Sequence, residues 1–335
     1  MSSNYGIGII GVGHDLPEHI DTNEELCKSL DEVTPEWILE KTGIQRRYIA
    51  QEGETASQFS VNAAKRAMVM AGITPDQVGL IIACTFSADY IFPPLSAKIH
   101  HDLGTKNAQI FDIQANCSGF VTGLTVASDR MMQDDSVAYA LVVGVELHTR
   151  YIDRSDVNTS IFFSDGAGAA VLAQVPKENG VIASSFHADT STYESVRFRG
   201  GGSSFANMGR EFDPKIDYME MNGLATWKQA ITGLPRVVKD VLKKSNLTAD
   251  DVNLFLFHQA NLKLIEYVVK KMKQPLTKTY TNVQDIGNTG AASIAIVLSD
   301  AVEKGLLKDN DILVLAGVGA GFNFGASTWR WHGKV

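Results

Sequence analysis

Residues 111–132 read FDIQANCSGFVTGLTVASDRMM, and the reading of this stretch decides the fold. A short apolar strand, 110–113, runs into it. Small and polar residues follow at 114–116, and from Cys117 the spacing of Phe120, Val121, Leu124, Val126 and Ala127 predicts a helix. Cys117 therefore stands at a strand-to-helix junction. There the free backbone N–H groups and the helix dipole are expected to favour a thiolate over a thiol. Ser118 and Gly119 leave room for a substrate. A small buried hydrophobe is an equal reading of this cysteine from the stretch alone.

Working outward, Val78–Thr85 (VGLIIACT), Ala138–Gly144 (AYALVVG) and 312–317 (ILVLAG) are continuous apolar runs, as expected of strands buried on both faces. Helices are expected at 22–30, 35–43, 56–71, 95–103, 223–244, from 261 onward and at 291–304, with Thr22 as an N-cap and Gly43 as a stop. Residues 162–173 read as a Gly/Ala-rich turn into an apolar strand, and further strands are expected at 181–187, 254–257, 279–283 and 323–331. The glycines of YGIGIIGVG at 5–13 match a dinucleotide loop poorly, because Leu16-Pro17 stands where a helix should open; a tightly packed strand fits better. Asp165-Gly166 reads as a hairpin turn. The segment 148–160 reads as polar and irregular, and 188–218 as long, variable-looking and rich in Gly and Ser. Each half runs strand, helix, strand, helix, which argues two α/β halves with covered mixed sheets, 1–174 and 175–335, packed as one body.

A charge of −8 on 335 residues disfavours a general nucleic-acid surface. No run is apolar enough to span a membrane and no signal-peptide pattern opens the chain, so a cytoplasmic protein is expected. Cys27, Cys84 and Cys117 form no CxxC pair and are too few for a disulfide framework. No Cys/His set has metal-ligand spacing, and no metal is expected.

Three polar residues share a position in the pattern. Cys117 follows a strand and opens a helix. His258, in HQAN, follows the run 254–257, and Asn288, in GNTGAAS, precedes the helix at 291. Sheets expose reactive groups at such ends, and Cys with distant His and Asn is a pattern for a thiol nucleophile. Taken singly, His258 could cap a helix and Asn288 could occupy a turn with positive φ.

Six pieces, in order, carry a resemblance: PEWILEKTGIQRRYIA at 35–50, the Cys117 stretch, SDGAGAAVL at 164–172, HQANLK at 258–263, GNTGAAS at 287–293 and GAGFNFG at 319–325. With them the chain resembles the 3-ketoacyl-acyl-carrier-protein synthase III family of the thiolase superfamily. The resemblance implies a duplicated five-layer α-β-α-β-α fold with two mixed sheets, and a homodimer. It implies that Cys117 takes an acyl group from a coenzyme A or acyl-carrier thioester, with the Cys117 and Ala320 amides as oxyanion hole. His258 and Asn288 would hold the carbonyl of a malonyl thioester while CO2 leaves, and the resulting carbanion would attack acyl-Cys117. No metal or redox cofactor is implied; the acyl carrier protein is the implied partner.

The resemblance also matches Trp37 to a residue stacking on adenine, Phe92 to a loop aromatic reaching a neighbouring subunit's acyl pocket, Phe163 to a pocket wall and Lys263 to the tunnel mouth. Core packing is the alternative for Trp37 and Phe163. Lys263, Lys270, Lys271 and Lys273 would make a basic helix for an acidic carrier protein, or simply a solvated face. The chain departs from the family at two arginines that commonly help hold coenzyme A: Lys41 and Val157 stand there, with Arg150 and Arg154 nearby as replacements. Acetyl-CoA is therefore expected to be a poor primer. The leading expectation is decarboxylative Claisen condensation. The alternatives are a secondary-metabolism relative with an unusual primer or a β-ketoacyl partner, and a non-catalytic subunit, which the presence of all three reactive residues disfavours. A thiolase is disfavoured because no second cysteine lies beyond Cys117.

Overall fold

The computed structural model describes residues 4–206 and 208–333. A five-stranded mixed sheet runs in the order Tyr5–Asp15, Asp165–Pro176, Tyr139–Leu147, Val78–Cys84, Gln109–Ile113. Its first three strands pair antiparallel and its last three parallel. A second sheet runs Leu254–Phe257, Ile312–Gly319, Asn323–Arg330, Gly180–Ala188. Only its first pair is parallel.

Alternation along the strands feeds two different cores, because successive side chains leave on opposite faces. In Tyr139–Leu147, Ala140 and Val142 point into one core, and Leu141, Val143 and Val145 into another. The first core lies between the sheets. It holds Phe120, Val121 and Leu124 of helix Gly119–Gln133 together with Ile294, Val297 and Leu298 of helix Ser293–Glu303. Helices Ala56–Ala71 and Leu95–Leu103 cover the outer face of the first sheet. Helices Gly223–Lys244 and Leu262–Lys271 cover the outer face of the second. The layers are thus α-β-α-β-α, and the continuous apolar runs are strands covered on both sides. The strand Gln109–Ile113, which leads to Cys117, is an edge, with Gln109 and Ile110 exposed.

The glycines at 11 and 13 serve packing. A Cβ there would lie 2.3 Å from the Ala67 carbonyl and 2.6 Å from the Ala63 carbonyl, so helix Ala56–Ala71 can rest on the strand only because both are absent.

Two local expectations are corrected. Residues 279–283 form no strand: Thr279 makes one isolated bridge to Phe255, and Val283–Ile286 is a short helix. Asp165-Gly166 is not a hairpin turn. Asp165 opens the strand Asp165–Pro176, paired with Leu147 across a long connection, and its buried carboxylate accepts from the amides of Ala50 and Thr149. The strand that the run 162–173 leads into begins at Asp165. The segment 188–218 contains the short strand Val196–Arg197, which pairs with Glu220–Met221, and a helical turn at Pro214–Asp217.

Candidate active site

The chain leaves the edge strand and reaches Cys117 through a 3-10 turn, Asn116–Ser118, before the α-helix starts at Gly119. Asn116 sits at φ 49°, the left-handed region that Asn tolerates better than most residues. Its Nδ2 donates to the Ala320 carbonyl at 3.0 Å, and Asn323 Nδ2 donates to Ser118 Oγ at 3.2 Å. The hairpin of the second sheet thereby grips the nucleophile's turn. Its approach depends on Gly319, where a Cβ would lie 2.4 Å from the Ala115 carbonyl. Ala320 stands beside Cys117 on the walls of the same two cavities.

The expectation of a low thiol pKa is corrected. Burial pushes the Cys117 thiol up to about 12, and the nearby Glu146 adds to this; the residue's own amide opposes them only weakly. Desolvation of the thiolate outweighs the local dipole.

His258 follows strand Leu254–Phe257, and its amide donates to Ala316 at 2.9 Å. The side chain is buried, and burial lowers its pKa to about 3, so the ring is neutral. Its Nδ1 is 2.6 Å from Ser293 Oγ, which also accepts from the Gln259 amide at 3.3 Å. No other acceptor engages the Ser293 hydroxyl among the described residues, so its proton goes to Nδ1. That places the ring's own proton on Nε2. His258 does not cap the following helix; Asn261 does, accepting from the Lys263 amide at 2.7 Å.

Asn288 is held on three sides. Its amide donates to Phe162, its carbonyl accepts from Ser164, and its Oδ1 accepts from the Gly290 amide, each at 2.9 Å. With Oδ1 committed, Nδ2 is left as a donor. Positive φ falls on Gly287 and Gly290, not on Asn288.

Two cavities meet at the cysteine. A cavity of about 130 Å³ is lined by Cys117, His258, Asn288, Asn261 and Phe322. A larger one, about 950 Å³, is lined by Cys117, Glu146, His148, Tyr151, Phe92 and Phe198. Cys117, Phe163, Val196 and Ala320 line both. Phe163 is thus a buried wall between them. Phe92 is 85% exposed at the rim of the large cavity, beside exposed Tyr90 and Ile91.

On the surface, Trp37 and Lys41 lie on helix Pro35–Thr42, capped by Thr34 and stopped by Gly43. Lys41 Nζ lies 6.0 Å from the Trp37 ring, and the Lys41 carbonyl accepts from Asn261 Nδ2 at 3.2 Å. Asn261 so links the small cavity to this surface, and Lys263 is exposed two residues on. Lys270, Lys271 and Lys273 are exposed as well. Both nearby arginines make contacts within the chain. Arg154 forks onto the buried Asp21 at 2.9 and 2.7 Å. Arg150 donates to the Gln51 and Glu54 carbonyls. Val157 packs against an apolar cluster containing Ile38.

Several residues of the site carried no sequence signal. Ser293 lies within a quoted motif but its contact with His258 is tertiary. Glu146 and His148 end an apolar strand and begin a segment read as irregular. Glu146 is buried and accepts from Ser87 Oγ at 2.6 Å and from Thr85 Oγ1 at 3.2 Å. Burial raises its pKa to about 8 against these hydrogen bonds. Away from the cavities, His14, Asp300 and Glu303 bring three potential ligand atoms within 4.8 Å of one another, a grouping invisible to sequence spacing.

The family model for 3-oxoacyl-[acyl-carrier-protein] synthase III matches residues 111–190, and the model for its C-terminal part matches 242–331. The chain is 37% identical over 324 residues to a beta-ketoacyl-[acyl-carrier-protein] synthase III of Rhizorhabdus wittichii, covering 96% of this chain and 98% of the relative. Among solved structures, 3-oxoacyl-[acyl-carrier-protein] synthase III from Aquifex aeolicus superposes with TM-score 0.89 at 33% identity, covering 97% of this chain and all of the other. The priming beta-ketosynthase of the R1128 polyketide pathway superposes with TM-score 0.92 at 29% identity, covering 100% and 99%.

Proposed function

The chain belongs to the 3-oxoacyl-[acyl-carrier-protein] synthase III family, with its thiolase-like fold, and we infer that it is an acyltransferase that loads an acyl group on Cys117 and condenses it with a malonyl thioester. The observation that carries this reading is the meeting of two cavities at one sulfur. The large cavity receives the acyl chain. The small one, bearing His258 and Asn288, receives the malonyl unit.

In the first half-reaction Cys117 sulfur attacks the thioester carbonyl, and the oxyanion is held by the amides of Cys117 and Ala320. As the C–S bond breaks, the leaving thiolate takes up the proton that the Cys117 thiol gives up on attack, and acyl-Cys117 remains. In the second, His258 Nε2–H and Asn288 Nδ2–H hold the malonyl thioester oxygen. The C–C bond to the carboxylate breaks, CO2 leaves, and the electron pair spreads onto that oxygen. The α-carbon then attacks acyl-Cys117, forming the 3-ketoacyl product and releasing the cysteine sulfur. A neutral imidazole suits this role, since it donates without competing for the developing charge as a base. No metal or redox group enters any step.

Coenzyme A or an acyl carrier protein delivers the substrates past Trp37, Lys41 and Lys263, and the basic face at 263–273 suits an acidic carrier. The exposed aromatic tip at 90–92 and the open edge at 109–113 support a homodimer in which Phe92 reaches the partner's acyl cavity. The commitment of Arg150 and Arg154 to other groups supports a second point: free acetyl-CoA is a poor primer, and a longer or unusual acyl group is taken instead. The test is intact-protein mass spectrometry after incubation with acetyl-CoA, longer acyl-CoAs and acyl-carrier thioesters, on wild type and Cys117→Ala. An acyl adduct on wild type alone supports the nucleophile, and an equal adduct on the variant refutes it. Fast, preferred acetylation from acetyl-CoA refutes the primer reading only.

A further inference from the structure

The large cavity carries a polar side chain that an alkyl chain has no use for. His148 follows strand Tyr139–Leu147 and is 3% exposed. Its ring is stacked on Phe163, with centroids 4.6 Å apart, and meets Phe86 edge-on at 5.2 Å. On another side it presses against Gly290, where a Cβ would lie 2.2 Å from the imidazole Cε1. The ring is therefore fixed by packing against Gly290, which stands two residues in sequence from Asn288. Yet Nδ1 is buried without a hydrogen-bond partner of acceptable geometry. Burial, then the neighbouring His258, hold its pKa at about 3 against a weak pull from the Ser164 backbone, so the ring stays neutral. A neutral imidazole offers one donor and one acceptor. Leucine or methionine would fill the same wall without the penalty of an unpaired buried polar group. Tyr151 lines the same cavity, its ring 5.4 Å from Phe86, and gives the wall a second polar tip.

We propose that His148 is a specificity-determining residue that hydrogen-bonds an oxygen substituent near the thioester end of the acyl group, so that the primer is a 3-hydroxyacyl or 3-oxoacyl chain rather than a plain alkyl chain. The placement near the reacting carbon follows from the contact with the Asn288–Gly290 turn and from the wall it shares with Cys117 and Phe163. A hydroxyl can donate to the imidazole and a ketone can accept from it, so the shared chemistry is oxygen at the third carbon. A site built to bond such a group discriminates strongly against the chain lacking it. The proposal rests on the acyl-Cys117 reading above.

The experiment compares initial rates of Cys117 acylation by hexanoyl, 3-hydroxyhexanoyl and 3-oxohexanoyl thioesters, each on coenzyme A and on carrier protein, by intact mass. Wild type, His148→Leu and His148→Gln are measured. Wild type is expected to favour one oxygenated chain over hexanoyl by about tenfold or more. His148→Leu should lose that preference while accepting hexanoyl at least as well as wild type, and His148→Gln should retain part of it. A wild type that prefers hexanoyl, or a preference that survives His148→Leu, overturns the proposal and leaves the acyl-enzyme reading standing. Absence of any adduct from all six substrates overturns both.

Discussion

Removing the one hydroxyl that touches His258 Nδ1 should slow condensation and spare acylation. Ser293 Oγ lies 2.6 Å from His258 Nδ1 and is the group that fixes the Nε2–H tautomer. Ser293→Ala deletes that bond, worth about 0.5–1.5 kcal/mol net. The ring then divides between tautomers, and only the Nε2–H form donates to the malonyl thioester. The loss expected in the decarboxylative half is therefore about 2- to 12-fold. That is well short of deleting the donor itself. The orphaned Nδ1 also remains buried at 3% exposure, which lowers overall stability by about 1–3 kcal/mol. The assay separates the halves: acylation by intact mass, and CO2 release from malonyl thioester on enzyme already acylated. Equal losses in both halves would mean a general disturbance of the site, and an unchanged rate of CO2 release would refute the tautomer argument.

Three further outcomes are expected. His258→Ala and Asn288→Asp should acylate nearly normally and condense roughly 100- to 1,000-fold more slowly; wild-type condensation by both would exclude them as donors. Alkylation of Cys117 by iodoacetamide should rise about tenfold per pH unit from pH 7 to 10, because its thiol is pushed up to about 12; a plateau below pH 8 would refute the raised thiol. Glu146 has a folded-state pKa of about 8 against an ordinary 4.5, so the native state holds the extra proton and stability falls as pH climbs between those values. Glu146→Gln should remove a fall of roughly 3–5 kcal/mol across that window, read from urea midpoints at pH 5 and pH 8.5, and parallel pH curves for the two proteins would refute it.

The sequence was most legible where local pattern and tertiary fate coincide. Cys117 and His258 each follow a strand, the apolar run before His258 being buried, and Asn288 stands in the turn before the helix Ser293–Glu303. Asp165-Gly166 misled because a dipeptide turn signal is local, whereas the carboxylate is engaged by Ala50 and Thr149 from elsewhere in the chain. Residues 279–283 have strand-like composition, but past Thr279 the amides of Asn282 and Val283 donate to Gln259 Oε1 instead of to a neighbouring strand. The thiolate expectation failed for the same reason. The first helical turn was readable from spacing, while the desolvation that outweighs it comes from the packed second sheet. His148, Glu146 and Ser293 were silent because their importance lies in what faces them.

The clamp between Asn116 and the Ala320 carbonyl has a consequence for how the molecule fails. The sulfur belongs to one sheet's end, and the donors that serve it come from the other sheet and its loops. The reaction geometry is thus a vernier, sensitive to slippage between two rigid scales that each remain intact. A fraction of an ångström between the sheets spoils the alignment long before either sheet melts. Turnover should consequently fade on warming ahead of the loss of secondary structure, and a graft across 317–323 that stiffens the hairpin should bring the two temperatures together.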